Sequence, residues 1–330
     1  MKRGSAWAAA GVSVRSRVGR AGPGSEEGFA LLAVLWIVAA MAGLGLLASL
    51  AGREAIGAAN NRAALARAAW RAADCVERAR AAADVALKAD RITFDAPDPW
   101  NELDRTIPSS RLLAGVDCEI RIVPSGTTLD VNTAGTPLLL RALRANGVTE
   151  QRADSMLAAL LDWIDPDEIR RESGAERQDY LPLGRPLPRN GRLADIRELS
   201  RIRGWAGDDR LLRTFGVDSI RVSLNHAPAE VLAALPGFTG ETVSRIIENR
   251  MMGRPLTSLE MLGAELSEGS RDSLNAHYFE LRQLTVTSPE FWIITGGARE
   301  GAPAVEAWLE VTLARSGDRA AIIRRRSGVS

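Results

Sequence analysis

The longest signal in the chain is an apolar run that no charged residue breaks. It extends from Phe29 to Gly52, 24 positions in all. As a helix it would span about 36 Å, against about 30 Å for the hydrocarbon core of a bilayer. A membrane-crossing helix is predicted, because a buried core helix usually keeps polar residues on one face. From Arg53 to about Ala89 the pattern becomes amphipathic. Leu65, Ala69, Ala72, Val76 and Ala79 recur at helical spacing, with Arg62, Arg67, Arg71, Glu77 and Arg80 between them. One helix continuing out of the membrane and packed along one face fits this pattern.

Pro97 and Pro99 end the helical pattern, and Asp90 to Ser110 reads as a loop. Val116, Cys118, Ile120 and Ile122 then alternate with Asp117, Glu119 and Arg121, the period of a half-buried strand. Ser125-Gly126 leads to a second short strand, Thr128 to Val131. Helical patterning follows from Asn132 to roughly His277. Strands return at Phe291–Ile294, Val305–Leu313 and Ala321–Ile323, with turns expected at Gly296-Gly297 and Gly317. The predicted class is α+β: a long N-terminal helix on an antiparallel β-sheet, interrupted by a large all-α insert. The expected divisions are 29–90 for the helix, 91–131 with 279–330 for the α/β body, and 132–278 for the insert.

Charge and composition narrow the function. Among 330 residues, 42 basic and 41 acidic side chains leave a net charge of +1, which argues against a protein built to neutralise nucleic-acid phosphates. Two His and two Cys leave little for zinc or haem chemistry. His226 and His277 are far apart in sequence, with no Cys motif near either. His226, just before Ala-Pro, reads as bounding a helix. Nothing resembles a nucleophile elbow, P-loop or dinucleotide fingerprint, so an enzyme is not expected.

The insert contains an internal repeat. Asn132-Thr133-Ala134 matches Asn225-His226-Ala227, and Gly147-Val148-Thr149 matches Gly237-Phe238-Thr239. Leu139, Leu140 and Leu143 correspond to Val231, Leu232 and Leu235. Ala153, Met156 and Leu157 correspond to Val243, Ile246 and Ile247. Each copy reads as helix, tight Gly turn, helix, a unit that resembles the helix-hairpin-helix. DNA-binding members of that class hold a phosphate on the hairpin amides. Here Glu150 and Glu241 follow the turns, and carboxylates would repel that ligand, which favours a packing role. The alternative is a membrane-tethered, competence-like DNA-binding protein.

An acidic stretch is the remaining candidate for chemistry. Asp162-Trp163-Ile164-Asp165-Pro166-Asp167-Glu168 precedes Glu172, Gly174-Ala175-Glu176 and Asp179-Tyr180. Clustered carboxylates are the hard oxygen ligands that Ca²⁺ requires. An EF-hand does not fit, since Ile169 and Arg170 stand where its fifth ligand and its Gly belong. A solvated acidic loop paired with Arg170, Arg171 and Arg177 is the other reading.

The N-terminus carries a resemblance. Lys2, Arg3, Arg15, Arg17 and Arg20 precede the apolar run and should stay cytoplasmic. A secretory signal peptide would have a shorter apolar stretch with the small residues after it. Here Gly24-Ser25-Glu26-Glu27-Gly28-Phe29 comes first. That order resembles the type IV prepilin and pseudopilin signal. The resemblance implies a 1–28 leader, cut between Gly28 and Phe29 by a prepilin peptidase, with Phe29 methylated. Pilins usually carry Glu at the fifth mature position, where this chain has Ala33. Its lack, together with the strand–helical insert–strand layout and the run DWIDPDE…GAERQDY, resembles the pseudopilin K family of type II secretion.

That resemblance implies a structural protein of the bacterial inner membrane, with its bulk in the periplasm. It implies minor pseudopilins I and J as partners in a pseudopilus tip, with no nucleic acid. It also implies calcium, with Asp165, Asp167 and Glu176 as the leading ligands and Asp162 and Asp179 as further ones. An oxidising periplasm permits a Cys75–Cys118 disulfide, but sequence does not show their proximity, and two separately buried thiols are expected.

Overall fold

The computed structural model describes residues 24–89, 98–107, 118–217 and 221–329. In chain order these form α1 (Gly24–Ala89), α2 (Leu103–Thr106), β1 (Glu119–Pro124), β2 (Leu129–Asp130), α3 (Thr136–Ala145), α4 (Glu150–Ile164) and α5 (Arg177–Tyr180). Next come α6 (Asp209–Thr214), β3 (Phe215–Gly216), β4 (Val222–Ser223), α7 (Ala229–Leu232), α8 (Gly240–Met251), α9 (Leu259–Ala264), α10 (Glu268–Ala276) and α11 (Tyr278–Leu284). Strands β5 (Thr285–Val286), β6 (Phe291–Glu300), β7 (Val305–Ser316) and β8 (Arg319–Val329) follow. The class is α+β, as the hydrophobic pattern predicts.

Two compact units divide the chain, Met1–Arg62 and Ala63–Ser330. In the first, α1 carries the apolar run, and its large side chains from Phe29 to Leu50 are exposed. This helix is long and apolar enough to cross a membrane. Most of the leader, 1–23, lies outside the described residues, while the Gly28–Phe29 junction falls on the backbone of α1.

In the second unit α1 buries Ala64, Ala68, Ala72, Cys75, Val76, Ala79, Ala83 and Leu87. Spacings of three and four put these on one stripe. They face a four-stranded antiparallel sheet of order β1-β6-β7-β8. Ala72, Val76, Ala79, Ala83 and Leu87 form one core with Trp292, Ile294, Leu309, Val311 and Leu313. The stripe is rich in Ala, so the helix backbone comes close to the strands. A Cβ at Gly296 would lie 2.6 Å from the Ala72 carbonyl. Gly296-Gly297, expected in a turn, belong instead to β6, where Gly296 makes room for the helix. The β6–β7 turn instead uses Gly301, at φ 85°. Gly317, at φ 63°, turns β7 into β8 as expected.

The stretch expected to be a loop before β1 is partly helical: Pro99–Glu102 is a 3₁₀ turn and α2 follows. Asp98 accepts from Trp100 N–H at 3.0 Å, capping that turn. Trp100 is buried and donates its indole N–H to Pro289 O, and Trp292 donates to Trp100 O at 2.8 Å. Burying a tryptophan with its polar atom satisfied fixes this segment. Val116 and Asp117, expected in the first strand, lie outside the described residues.

The helical block has its own core, from Leu129 to Leu281. Its short strands stay out of the main sheet. The expected strand at Thr128–Val131 reduces to β2, which pairs in parallel with β3, while β4 pairs in parallel with β5. Each pair closes one copy of the repeat, so the block runs from Leu129 to Val286. The Asn132 side chain holds the Leu193 backbone from both sides, donating to its O at 3.1 Å and accepting from its N–H at 2.8 Å. Asn225 does the same with Leu256 at 2.8 and 2.9 Å. Gly147 and Gly237 turn each hairpin at φ 79° and 71°, a region that favours glycine.

Candidate cation site

The acidic residues gather where α4 leaves the first repeat. Pro166 and the extended Asp165 (φ −77°, ψ 162°) stop the helix. Asp162 sits one turn earlier and is fully buried. It cannot stay charged there without partners, and the loop brings them. Arg171 donates from Nη1 to Asp162 Oδ1 at 2.7 Å, and its backbone N–H lies 3.3 Å from Oδ2. The returning loop passes so close that a Cβ at Gly174 would overlap the Asp162 carboxylate. Arg203 then holds the carbonyls of Ser173 and Gly174 at 2.6 and 2.5 Å. Trp163 packs edge-on against Tyr180, with centroids 5.4 Å apart. Asn190, left-handed at φ 51°, donates its backbone N–H to Trp163 O and its amide to Asp167 O.

Inside this frame three of the five sequence-identified carboxylates converge. One oxygen from each of Asp165, Asp167 and Glu176 lies within 4.8 Å of the others. Oxygens coordinated to one Ca²⁺ at about 2.3–2.6 Å can be no more than about 5 Å apart, so the spacing fits. Glu176 is 1 % exposed, and neither of its carboxylate oxygens has a hydrogen-bond partner; Asp165 Oδ1 is equally buried and bare. Burial is the largest influence on the Glu176 carboxyl and pushes it above its ordinary range; the Arg177 backbone N–H opposes this, and the charges of Asp162, Asp165 and Asp167 add to it. Buried bare oxygens of this kind are what a hard cation satisfies, so the donor set fits calcium.

The other two candidates have protein partners. Asp162 belongs to Arg171. Asp179 accepts from Glu176 N–H at 2.9 Å and pairs with Arg170 at 3.2 Å. The expectation of arginines around the loop thus describes part of the arrangement, since Arg170 and Arg171 both pair with acids. Sequence reasoning missed Asn190 and Arg203, which lie beyond the acidic run. The only sign of Gly174's role was its place in the GAE triplet.

Elsewhere, Cys75 and Cys118 form a disulfide with Cα atoms 6.6 Å apart, within bonding range. This corrects the expectation of two separate thiols. Residue 75 lies on the buried stripe of α1, opposite the start of β1. His226 bounds α7 and also bridges. Its Nε2 lies 2.9 Å from Asn101 O and its Nδ1 lies 2.9 Å from Ser223 Oγ, with Trp292 edge-on at 5.7 Å. In the second hairpin Glu241 accepts from Ser267 N–H and from the hydroxyls of Ser267 and Ser270. The Ser267 hydroxyl is the largest cause that holds its carboxyl down at about 2. A carboxylate already occupies these donors.

Residues 124–212 match the family model for type II secretion system (T2SS), protein K. No curated protein sequence matches the chain. Among solved structures, one similar chain comes from the crystal structure of the GspK-GspI-GspJ complex of the enterotoxigenic Escherichia coli type 2 secretion system. The TM-score is 0.52 at 13 % identity, covering 80 % of this chain and 96 % of that one. At that identity the likeness is one of fold.

Proposed function

We propose that this chain, whose residues 124–212 match the family model for type II secretion system protein K, is a minor pseudopilin that caps the periplasmic pseudopilus and supports export across the outer membrane. The match over residues 124–212 carries the reading. Supporting it are an apolar helix long enough for a bilayer and an α/β body on which the second half of that helix packs. A disulfide between Cys75 and Cys118 suits an oxidising periplasm.

In this reading a prepilin peptidase cuts between Gly28 and Phe29, and the inner membrane holds the chain by α1 until assembly. Apolar packing among neighbouring helices and burial of contact faces between the globular parts then drive incorporation. The solved complex joins GspK to GspI and GspJ, and minor pseudopilins of those two kinds are the proposed partners. The helical block would cover the growing end and leave no seat for a further subunit. Nothing in this role calls for catalysis.

Asp165, Asp167 and Glu176 would hold calcium. Bound there, the ion would neutralise the buried Glu176 together with Asp165 and Asp167, and tie the loop after α4 to the 176–180 turn.

The test is isolation of the tagged full chain from membranes that express the secretion system. Minor pseudopilins I and J should co-purify, and mass spectrometry should find N-methylated Phe29 at the mature terminus. An intact start methionine with neither partner present would overturn the proposal.

A further inference from the structure

The guanidinium of Arg171 lies between the two halves of the acidic site. It donates to Asp162 Oδ1 at 2.7 Å and to Asp165 Oδ2 at 2.5 Å, both from Nη1. Asp165 is thus divided: Oδ2 belongs to the arginine, while Oδ1 is buried and bare beside the Glu176 oxygens. Arg171 therefore stands outside the ligand set while sharing a carboxylate with it.

We propose that Arg171 is a resident counter-charge that keeps the acidic loop folded without a bound cation and, in doing so, weakens calcium binding. The inference rests on the reading of Asp165, Asp167 and Glu176 as a cation site. Its physics is charge balance. Four carboxylates, Asp162 and Glu176 buried, Asp165 half-buried and Asp167 exposed, meet where the loop folds back on α4, and holding them together uncompensated would open it. Arg171 supplies one positive charge and a divalent ion supplies two, so each lessens the need for the other. By linkage, such anti-cooperativity must appear in both directions.

The experiment compares wild type, Arg171→Gln and Arg171→Lys as full chains in detergent. Calcium affinity is measured by equilibrium dialysis, and thermal denaturation is followed with chelator and with excess calcium. R171Q should bind calcium about tenfold tighter, the size expected for removing one unit charge several ångströms from a divalent ion across a screened surface. Its calcium-induced rise in Tm should exceed that of wild type, and R171K should stay near wild type. A rise in R171Q equal to or smaller than that of wild type overturns the role of Arg171 and leaves the cation site standing. An R171Q chain that stays unfolded in excess calcium overturns it too, because the ion should replace the lost charge. If wild type and R171Q both fail to bind calcium in dialysis, the cation reading itself falls and takes this inference with it.

Discussion

The two repeat copies of the helical block share a frame and differ in where they place their extra residues. Each opens on a two-residue strand, locks an Asn side chain onto a downstream leucine, turns at a left-handed Gly and closes on a parallel strand. In the first copy, 28 residues separate the end of α4 at Ile164 from the clamped Leu193. In the second, 4 residues separate the end of α8 at Met251 from Leu256. The long excursion sends Ala175 and Tyr180 into the core of the block, and it carries Asp165, Asp167, Glu176 and Asp179 together with Arg171 and Gly174. The second copy adds its helices after the clamp, and α10 lies over the hairpin. The candidate cation site lies where the frame is lengthened before the clamp, and the covered turn lies where it is lengthened after it.

The largest expected effect tests that covering. A Cβ at Gly237 would overlap the Ser273 carbonyl of α10, whereas one at Gly147 meets nothing within 4 Å. Both sit at positive φ. Gly147→Ala should cost only the left-handed strain, about 1–2 kcal/mol. Gly237→Ala adds a backbone clash and should cost roughly 3–5 kcal/mol. Denaturant titration of the full chain, followed by tryptophan fluorescence, measures both. Equal costs would mean that α10 does not hold down the second hairpin.

Much of this frame was legible in the sequence. The unbroken Phe29–Gly52 run, the alternation through Cys118–Ile122 and the paired Asn and Gly landmarks each report a local period or a local backbone demand. What escaped reading depends on a third element. Gly296-Gly297 looks like a turn until a helix is laid across it. Strand β2 finds its partner at Phe215, more than eighty residues on, and two-residue strands leave no periodicity. The carboxylate run marked the site by composition. That three of the five meet while two serve arginines and backbone depends on how the loop folds back over Asp162. The pairing of Cys75 with Cys118 likewise depends on the rotation of α1 against β1.

A smaller effect comes from the clamps. Asn225 makes a third bond, from its amide to Thr287 O at 2.8 Å, so it ties the second copy to the segment leading into β6. At about 1 kcal/mol per net hydrogen bond, Asn225→Ala should cost about 3 kcal/mol and Asn132→Ala about 2. Hydrogen exchange sharpens the comparison. N225A should speed exchange at the Leu256 amide and spare Leu193, and N132A should do the reverse. Loss of protection in both copies from either change would show that they unfold as one unit.

The smallest expected effect is a pH dependence confined to the second copy, which has His226 where the first has Thr133. Burial is the largest influence on this imidazole and lowers its pKa below the ordinary 6.5. Arg250 and Arg105 act in the same direction, while the Asn101 carbonyl and Asp104 oppose them. The folded protein therefore holds the neutral ring, and unfolding takes up a proton at any pH between the folded and unfolded values. The contribution is fully present above about pH 6.5 and is lost as pH falls through the folded value. Across that window the slope is at most about 1.4 kcal/mol per pH unit. His226→Gln should flatten this part of the stability profile just below pH 6.5, even if it lowers stability at pH 8 by breaking the bridge to Asn101. Denaturant midpoints measured at half-unit pH steps provide the check. A slope that survives the substitution would mean that groups other than His226 set it.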